Sequence, residues 1–245
     1  MYLKTMLYFI IGILMFSCAQ EDKSETEIPQ EIMNEPETTP ETDNTINYLA
    51  LGDSYTIGQS VCSTCKFPIQ LKDSLLARYP NMDIEVKIIA TTGWTTTNLI
   101  NAIENEQPSS NNDLVTLLIG VNNQYQGKPF SLYQSEFPSL LEKAIKFAGG
   151  RTDNVVVVSI PDYAYTPFGQ NSGNPEKITQ EIDQYNAFAN THCSSKGVSF
   201  VNITDITRQG LSNPELVAND NLHPSEIAYS KFVDRLLPIV IRKLF

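Results

Sequence analysis

Three residues that lie far apart in the chain have the side chains that an acyl-transfer site needs. Ser54 ends the run Gly52-Asp53-Ser54, just after a short apolar stretch, and its hydroxyl could act as a nucleophile. Asp220 and His223 lie three residues apart near the other end of the chain. A histidine can take the serine proton, and an aspartate can orient that histidine. The three side chains therefore predict a Ser-His-Asp catalytic triad.

Each of these residues also has a common structural role. A serine that follows a strand is often a turn residue or a helix N-cap, and Asp and His are ordinary residues before a helix. His223 precedes Pro224, which disfavours the α region and favours an extended loop from which an imidazole can face a pocket. The second histidine of the chain, His192, falls in a predicted helix, and we expect it to be structural or on the surface.

Two further residues could stabilise the oxyanion of an acyl-transfer reaction. A glycine such as Gly93 lets its backbone N–H approach a substrate closely, and the side-chain amide of Asn122 can donate a second hydrogen bond. The backbone N–H of Ser54 would supply a third. Taken singly, Gly93 and Asn122 are better explained as turn residues, so their interpretation depends on the fold.

Apolar runs of strand length alternate with segments of helical periodicity. The predicted strands span 48–51, 84–90, 114–119, 155–160 and 198–203, and the predicted helices span 67–79, 96–105, 132–148, 178–196 and 225–245. Near-continuous runs of Val, Ile and Leu are typical of strands that are buried on both faces. We therefore predict an α/β fold, a three-layer sandwich with a flavodoxin-like, five-stranded parallel sheet.

The predicted sheet brings the candidate residues to one edge. Ser54, Gly93 and Asn122 each follow one of the first three strands, and Asp220 and His223 lie in the loop before the last helix. In open parallel sheets, ligands bind outside the carboxyl ends of the strands. The fold therefore predicts one site that contains all five residues.

In this order the segments resemble those of the GDSL or SGNH hydrolase family, over about residues 46–245. The resemblance places the family's serine, glycine, asparagine and histidine, and the aspartate of its Asp-x-x-His element, at Ser54, Gly93, Asn122, His223 and Asp220. It implies a serine esterase that forms an acyl-enzyme, with an oxyanion hole made by Ser54, Gly93 and Asn122 and with no metal or cofactor.

Two positions depart from the family's usual pattern. The third block usually reads Gly-x-Asn-Asp, and Asn123 takes its last place here, while Tyr55 replaces the familiar Leu of the first block. We expect the change at Asn123 to affect the shape of the pocket more than activity. The longer strings around both blocks resemble lipoprotein members of the family from the Bacteroidota.

The substrate is left open by the sequence. Small-molecule esters and O-acetyl groups on carbohydrate both suit a serine esterase. Two alternatives use the same cleft: a non-catalytic surface lipoprotein that binds glycan, and an acyltransferase in which a sugar hydroxyl deacylates the enzyme. Because every core position of the site is filled, the sequence favours an enzyme.

The N-terminal segment predicts export. Residues 1–17 combine Lys4, a short apolar core and a small residue before Cys18, as in a secretory signal peptide. Cys18 resembles the lipidated cysteine of bacterial lipoproteins, with ordinary secretion as the alternative. We therefore expect a protein that is exported and lipid-anchored to the bacterial outer membrane through Cys18. The sequence leaves open whether its domain lies on the cell surface or on the other face of that membrane.

Charge separates residues 18–45 from the domain at 46–245. The first segment holds nine acidic residues and one basic residue, so we expect a disordered acidic tether. Its acids also resemble the surface-export signal of Bacteroidota lipoproteins. The domain holds 19 acidic and 15 basic residues, a net charge of −4, without a basic cluster. Nucleic acid is therefore excluded as an expected partner, and we expect a monomer.

Cys62 and Cys65 are separated by two residues. The spacing occurs in zinc knuckles, but no second Cys/His pair completes a site, and the context does not suit a thioredoxin-like redox motif. In an exported protein the simplest interpretation is a local disulfide that stiffens a loop. Pairing of Cys193 with either cysteine stays open.

Overall fold

The computed structural model describes residues 44–245. The predicted signal peptide (1–17), the lipidation site Cys18 and the predicted tether as far as residue 43 lie outside the described residues. Within residues 44–245, no helix combines the length and the apolar character that crossing a bilayer requires.

The described chain alternates strands and helices. The strands are β1 (Thr45–Gly52), β2 (Asp83–Ala90), β3 (Leu114–Leu118), β4 (Val155–Val158) and β5 (Ser199–Val201). The longer helices are α2 (Phe67–Arg78), α3 (Thr96–Glu106), α5 (Phe130–Phe147), α7 (Pro175–Lys196) and α9 (Glu226–Leu244). The short helices are α1 (Ser54–Ile57), α4 (Val121–Tyr125), α6 (Pro167–Gln170) and α8 (Thr204–Thr207), and 3₁₀ turns cover Thr152–Asn154, Tyr163–Tyr165 and Pro214–Leu216.

The five strands form one parallel sheet in the order β2-β1-β3-β4-β5. The strands β3 and β4 are buried at every residue, as their runs rich in Val and Leu predict. One helical layer contains α2 packed on α9, and the other contains α5 packed on α3 and α7. The predicted three-layer, flavodoxin-like α/β fold is therefore confirmed.

The strand order reverses between β1 and β3, so the loops that follow these two strands diverge at this point. Such a switch point leaves a crevice at the carboxyl edge of the sheet. The loop after β1 carries Ser54, and the loop after β3 carries Asn122.

Each of the five predicted strands and five predicted long helices is present, with ends that differ by a few residues. The short helices α1, α4, α6 and α8 were not predicted, because four or five residues are too few to show a hydrophobic period. Two of them, α1 and α4, begin at the functional edge of the sheet and carry Ser54 and Asn122.

Candidate active site

Ser54 is placed by the sharp turn from β1 into α1. Asp53 is the N-cap of α1, and its Oδ1 accepts a hydrogen bond of 3.0 Å from the backbone N–H of Tyr55. Ser54 is the first residue of the helix, where the backbone N–H has no partner inside the helix itself. This turn sets Ser54 at the carboxyl end of β1 with only 3 % of its surface exposed.

His223 and Asp220 form a compact pair in the loop before α9. His223 Nδ1 lies 2.6 Å from Asp220 Oδ2, and the His223 backbone N–H donates to Asp220 Oδ1 at 2.9 Å. A proton on Nδ1 satisfies the first contact and leaves the Nε2 lone pair free to act as a base. The His223 ring also packs against Tyr55, with 5.2 Å between ring centroids.

The Asp220 carboxylate accepts four hydrogen bonds. Besides the two from His223, Oδ1 accepts one from the Leu222 N–H at 2.9 Å, and Oδ2 accepts one from Ser60 Oγ at 2.5 Å. Desolvation alone would raise the pKa of Asp220, but these donors, led by Ser60, outweigh it and lower the pKa to about 2. The carboxylate is therefore charged at neutral pH, as an orienting acid must be.

A cavity of about 230 Å³ brings the predicted residues together. Its lining includes Ser54, Gly93, Asn122 and His223, together with Tyr55, Thr92, Val121, Tyr125, Tyr163, Phe168 and Leu222. No hydrogen bond joins Ser54 Oγ to His223 among the described residues. Bonds between a nucleophile and its base are often long in a free enzyme and shorten when substrate binds. The pairing of Ser54 with His223 therefore depends on the cavity that both residues line.

Gly93 and Asn122 offer donors to this cavity. Gly93 has a φ of +84°, a left-handed conformation that favours glycine, and no atom lies within 4 Å of the position that a Cβ would occupy. Within residues 44–245 its N–H has no hydrogen-bond partner. The Asn122 side chain is held by Nδ2 contacts to the Trp94 carbonyl at 3.1 Å and to Asp53 Oδ2 at 3.4 Å.

Asp53 is fully buried beneath this cavity. Its burial removes the carboxyl group from water and raises its pKa to about 7, although hydrogen bonds from the Tyr55 N–H and the Asn122 amide act in the opposite direction. Asp53 therefore changes its charge near neutral pH while it contacts the side-chain amide of Asn122.

Asn123, which departs from the family's pattern, does not line the cavity. It is fully buried, its Oδ1 accepts from the Thr96 N–H at 2.9 Å, and its Nδ2 donates to Thr96 Oγ1 at 2.6 Å. The Thr96 hydroxyl in turn donates to Glu136. Asn123 therefore ties the start of α3, just after Gly93, to the start of α4.

Packing, hydrogen bonds and one ion pair order the surroundings of the site. Tyr163 lines the cavity. Trp94 packs partly buried against the core, and its carbonyl oxygen accepts a hydrogen bond from Asn122. Arg208 Nε lies 3.0 Å from Oδ2 of the buried Asp162. His192 packs between aromatic rings of α5 and α7.

The structure pairs Cys62 with Cys65, with an S–S distance of 2.07 Å and a Cα–Cα distance of 4.9 Å, and Cys193 is buried as a free thiol. Within the described chain, no group of three or more His, Cys, Asp or Glu side chains is arranged to hold a metal ion.

The sequence of residues 50–231 matches that of the GDSL-like Lipase/Acylhydrolase family. The chain belongs to this family. It is a carboxylic ester hydrolase. The matched segment contains all five residues that were predicted for the site, and it ends within α9.

Solved structures similar to this GDSL-like hydrolase include three esterases or hydrolases. An acetylxylan esterase from Geobacillus stearothermophilus is 19 % identical with a TM-score of 0.60, covering 80 % of this chain and 94 % of its own. An alpha/beta hydrolase enzyme from the metagenome of Lake Arreo, Spain, is 17 % identical with a TM-score of 0.61, covering 82 % and 96 %.

The third is the psychrotrophic esterase EstA from Pseudoalteromonas sp., which is 19 % identical with a TM-score of 0.58 and covers 82 % of this chain and 99 % of its own. These likenesses support the fold of the GDSL-like hydrolase. No match was found among curated proteins.

Proposed function

We propose that this hydrolase cleaves short-chain carboxylic esters, and O-acetyl groups on carbohydrate in particular, through a Ser54–His223–Asp220 triad. Ser54 Oγ attacks the ester carbonyl while His223 Nε2 takes its proton. Asp220 holds the imidazole in the tautomer that leaves Nε2 free. The leaving alcohol receives the proton from His223, and water, activated by the same base, then releases the acid from the acyl-enzyme. The shared cavity of Ser54 and His223 is the observation that carries this proposal.

The negative charge that develops on the carbonyl oxygen needs donors that are already in place. The N–H groups of Ser54 and Gly93 and the amide of Asn122 fill this role in our proposal. The bond to the Trp94 carbonyl at 3.1 Å fixes the direction of the Asn122 amide. Its second hydrogen makes only a long contact of 3.4 Å to Asp53 Oδ2, and this is the hydrogen that turns to the oxyanion in our proposal.

The size of the cavity supports a small acyl group. A space of about 230 Å³ lies below the range of about 300 to 1,000 Å³ that is usual for drug-sized ligands. A short acyl chain fits such a space together with part of the alcohol, whereas a long fatty chain requires more room. One of the similar structures is an acetylxylan esterase, which agrees with an acetyl group on a sugar.

The test is hydrolysis of p-nitrophenyl esters from acetate to laurate by the wild type and by Ser54→Ala and His223→Ala. We expect the highest kcat/KM with acetate and a loss of about 1,000-fold or more in either variant. Asn122→Ala should lower kcat by about 100-fold, because one oxyanion donor is lost.

Labelling with a fluorophosphonate probe gives a second measurement that does not depend on the choice of substrate. Wild-type protein should be labelled at Ser54, and Ser54→Ala should not be labelled. A glycan-binding protein without catalysis would leave the probe unreacted. Wild-type turnover in either triad variant would show that the assignment is wrong.

A further inference from the structure

A second cavity of about 470 Å³ adjoins the first one. Tyr125 and Tyr163 line both cavities, and the remaining lining of the second comes mainly from the turn after α4 and the start of α7, including Lys128, Asn174, Lys177 and Glu181. In contrast to the mostly apolar space around Ser54, these side chains are charged or carry amides. The two cavities therefore present different chemistry on either side of one pair of tyrosines.

A chain of hydrogen bonds runs from the shared wall into the second cavity. Tyr163 Oη donates to Gln124 Oε1 at 2.8 Å, and Gln124 Nε2 donates to Glu181 Oε2 at 2.8 Å. Lys177 Nζ lies 3.6 Å from Glu181 Oε1. The two hydrogen bonds orient Gln124 and Glu181, whereas Lys177 is mostly exposed. Each ionised group keeps donor or acceptor capacity for a ligand.

Tyr125 gives the second cavity a flat apolar surface. It is a large apolar side chain with an exposure of 54 %, and its ring is held edge-on to Tyr163 with 5.9 Å between centroids. A second ring, that of Phe168, lies 6.0 Å away. An exposed aromatic face beside ordered amides and charges suits a ligand with one apolar face and many hydroxyl groups, which describes a sugar ring.

We propose that this second cavity is the subsite for the alcohol part of the ester, and that it binds a sugar unit of an acylated oligosaccharide. The proposal rests on the proposed function, because it places the acyl group in the cavity of Ser54. The sugar ring stacks on Tyr125, and its hydroxyls bond to Gln124, Glu181 and Lys177.

The experiment compares kcat/KM for an acetylated xylo-oligosaccharide with kcat/KM for p-nitrophenyl acetate. In Tyr125→Ala and Lys177→Ala, the loss on the oligosaccharide should exceed the loss on p-nitrophenyl acetate by about tenfold, which corresponds to the loss of one stacking or charged contact. Leu211→Ala, an exposed apolar residue outside both cavities, is the matched control and should leave the ratio unchanged.

Equal losses on both substrates would overturn the subsite while leaving the esterase assignment intact. A wild-type enzyme that hydrolyses neither substrate would instead overturn the proposed function, and the subsite with it. Ser54→Ala separates the two cases, because it must abolish both activities if the triad is correct.

A second, independent inference concerns the loop between α1 and α2. Ser60 Oγ donates to Asp220 Oδ2 at 2.5 Å across 160 positions of the sequence. The neighbouring Gln59 accepts a hydrogen bond of 2.6 Å from Thr92 Oγ1, and Thr92 lines the cavity of Ser54. The loop therefore contacts both the proposed triad acid and the segment that carries Gly93.

Two features hold this loop in shape. The disulfide between Cys62 and Cys65 closes a short ring two residues after Ser60. Ser60 itself has a φ of +68°, a left-handed conformation that a non-glycine residue adopts only when its surroundings impose it. The observed conformation aims the Ser60 hydroxyl at Asp220.

We infer that Ser60 is a positioning residue for the triad, and that the Cys62–Cys65 disulfide acts through it. Ser60 touches neither the substrate nor the reacting atoms. Its hydroxyl fixes the Asp220 carboxylate, which in turn fixes the His223 ring. The disulfide keeps the loop in the conformation that allows this contact.

Ser60→Gly tests the first part, because glycine removes the hydroxyl while it adopts the positive φ without strain. We expect kcat to fall by about tenfold with KM little changed, the size of effect that one hydrogen bond to a charged group supports. A cooperative thermal melt well above the assay temperature separates this effect from loss of folding. Wild-type kcat in Ser60→Gly would overturn the inference.

Dithiothreitol, and the double variant Cys62→Ser/Cys65→Ser, test the second part. Opening the disulfide should lower kcat in the wild type and should have little further effect in Ser60→Gly, because both changes act on the same contact. Losses that multiply would show that the disulfide does not act through Ser60.

Discussion

Asp53 combines a structural role and an electrostatic one at a single buried position. Its Oδ1 caps the helix that presents Ser54, while its Oδ2 contacts the amide of Asn122. An aspartate with complete burial loses hydration that two hydrogen bonds only partly replace, which is why its pKa rises to about 7. The sequence shows an ordinary Gly-Asp-Ser turn, and only the packing shows that burial of the Asp53 carboxylate costs free energy.

We expect Asp53→Asn to stabilise the protein relative to the wild type increasingly as pH rises. The folded pKa of Asp53 is raised from 3.8 to about 7, so the folded state binds its proton more tightly than the unfolded state. The contribution of this group to stability is then present below pH 3.8 and is lost as pH rises toward about 7. The unfolding free energy lost through the raised pKa of Asp53 corresponds to roughly 4 kcal/mol.

Urea unfolding of both proteins between about pH 5 and about pH 8 measures this effect, since the common pH dependence of other groups cancels. Asparagine keeps the capping oxygen that accepts from the Tyr55 N–H. A difference in unfolding free energy that stays constant over this range would contradict a raised pKa at Asp53.

Asn123 and Glu136 both hydrogen-bond to the hydroxyl of Thr96, Asn123 as donor and Glu136 as acceptor. Thr96 Oγ1 accepts from Asn123 and donates its single proton to Glu136. In Asn123→Asp, two carboxylates compete for that proton, so we expect a loss of about 1 to 3 kcal/mol of unfolding free energy. The added change Glu136→Gln supplies a new donor to Thr96 and should recover most of the loss.

A double-mutant cycle by chemical denaturation measures this coupling. Additive losses in the double variant would show that Thr96 does not couple Asn123 to Glu136.

At the scale of elements, the junction between β1 and α1 allows only glycine at position 52. A Cβ there would lie 2.1 Å from Thr56 Oγ1 and 2.5 Å from the Leu118 carbonyl oxygen. We expect Gly52→Ala to push α1 away from β3, which costs about 1 to 3 kcal/mol of stability, and to lower kcat by at least about tenfold because Ser54 moves with the helix.

Gly150→Ala is the control, because Gly150 has a positive φ but no atom within 4 Å of the added methyl group. It should cost about 1 kcal/mol from backbone strain and leave kcat unchanged. Thermal melts and p-nitrophenyl acetate assays of both variants distinguish two effects. One is the steric clash of an added Cβ beside Ser54, and the other is the backbone strain of a non-glycine residue at a positive φ. Equal kcat in the two variants would argue against a role of the junction.

The long elements could be predicted from the sequence, because each buries a face that repeats over many residues. The buried Val155–Val158 run of β4 and the spaced Ile182, Tyr185 and Ala189 of α7 are examples. The positions of Ser54, Gly93 and Asn122 followed from these elements, because parallel strands end at one edge of a sheet. His223 was placed by its loop before the last helix and not by a strand end.

The remaining parts of the site could not be predicted, because they depend on contacts between distant loops. Ser60 carries no local signal for its bond to Asp220. Likewise, neither the chain Tyr163–Gln124–Glu181 nor the burial of Asp53 follows from any spacing in the sequence. Only the folded arrangement of α1, α4 and α7 creates these groups.

At the scale of the whole molecule, the GDSL-like hydrolase brings its candidate site residues together at the carboxyl edge of the sheet. The Ser54 cavity lies at the switch point between β1 and β3, and the second cavity extends toward α7. The domain carries a net charge of only −4, whereas residues 18–45 carry −8. Acidity is therefore concentrated between the predicted lipidation site and the catalytic domain.

This distribution suits an enzyme that is held near a membrane by one end. Like charges repel, so the acidic residues of 18–45 disfavour contact of this segment with an anionic lipid surface. We propose export, lipidation of Cys18 and anchoring of the domain to the outer membrane through residues 18–45. The second cavity would then face carbohydrate outside the cell.

Cys18→Ser tests the anchor in cells that express the full chain. We expect the wild type to incorporate a labelled fatty acid and to sediment with membranes, and the variant to lose both properties. A single acyl chain binds membranes only weakly, whereas several chains on one cysteine give stable anchoring. The control is Cys193→Ser, a buried thiol far from the N-terminus, which should sediment like the wild type. Lipid labelling that persists in Cys18→Ser would place the anchor elsewhere. If the soluble variant has the same esterase activity as the wild type, the anchor determines where the enzyme is and does not affect its catalysis.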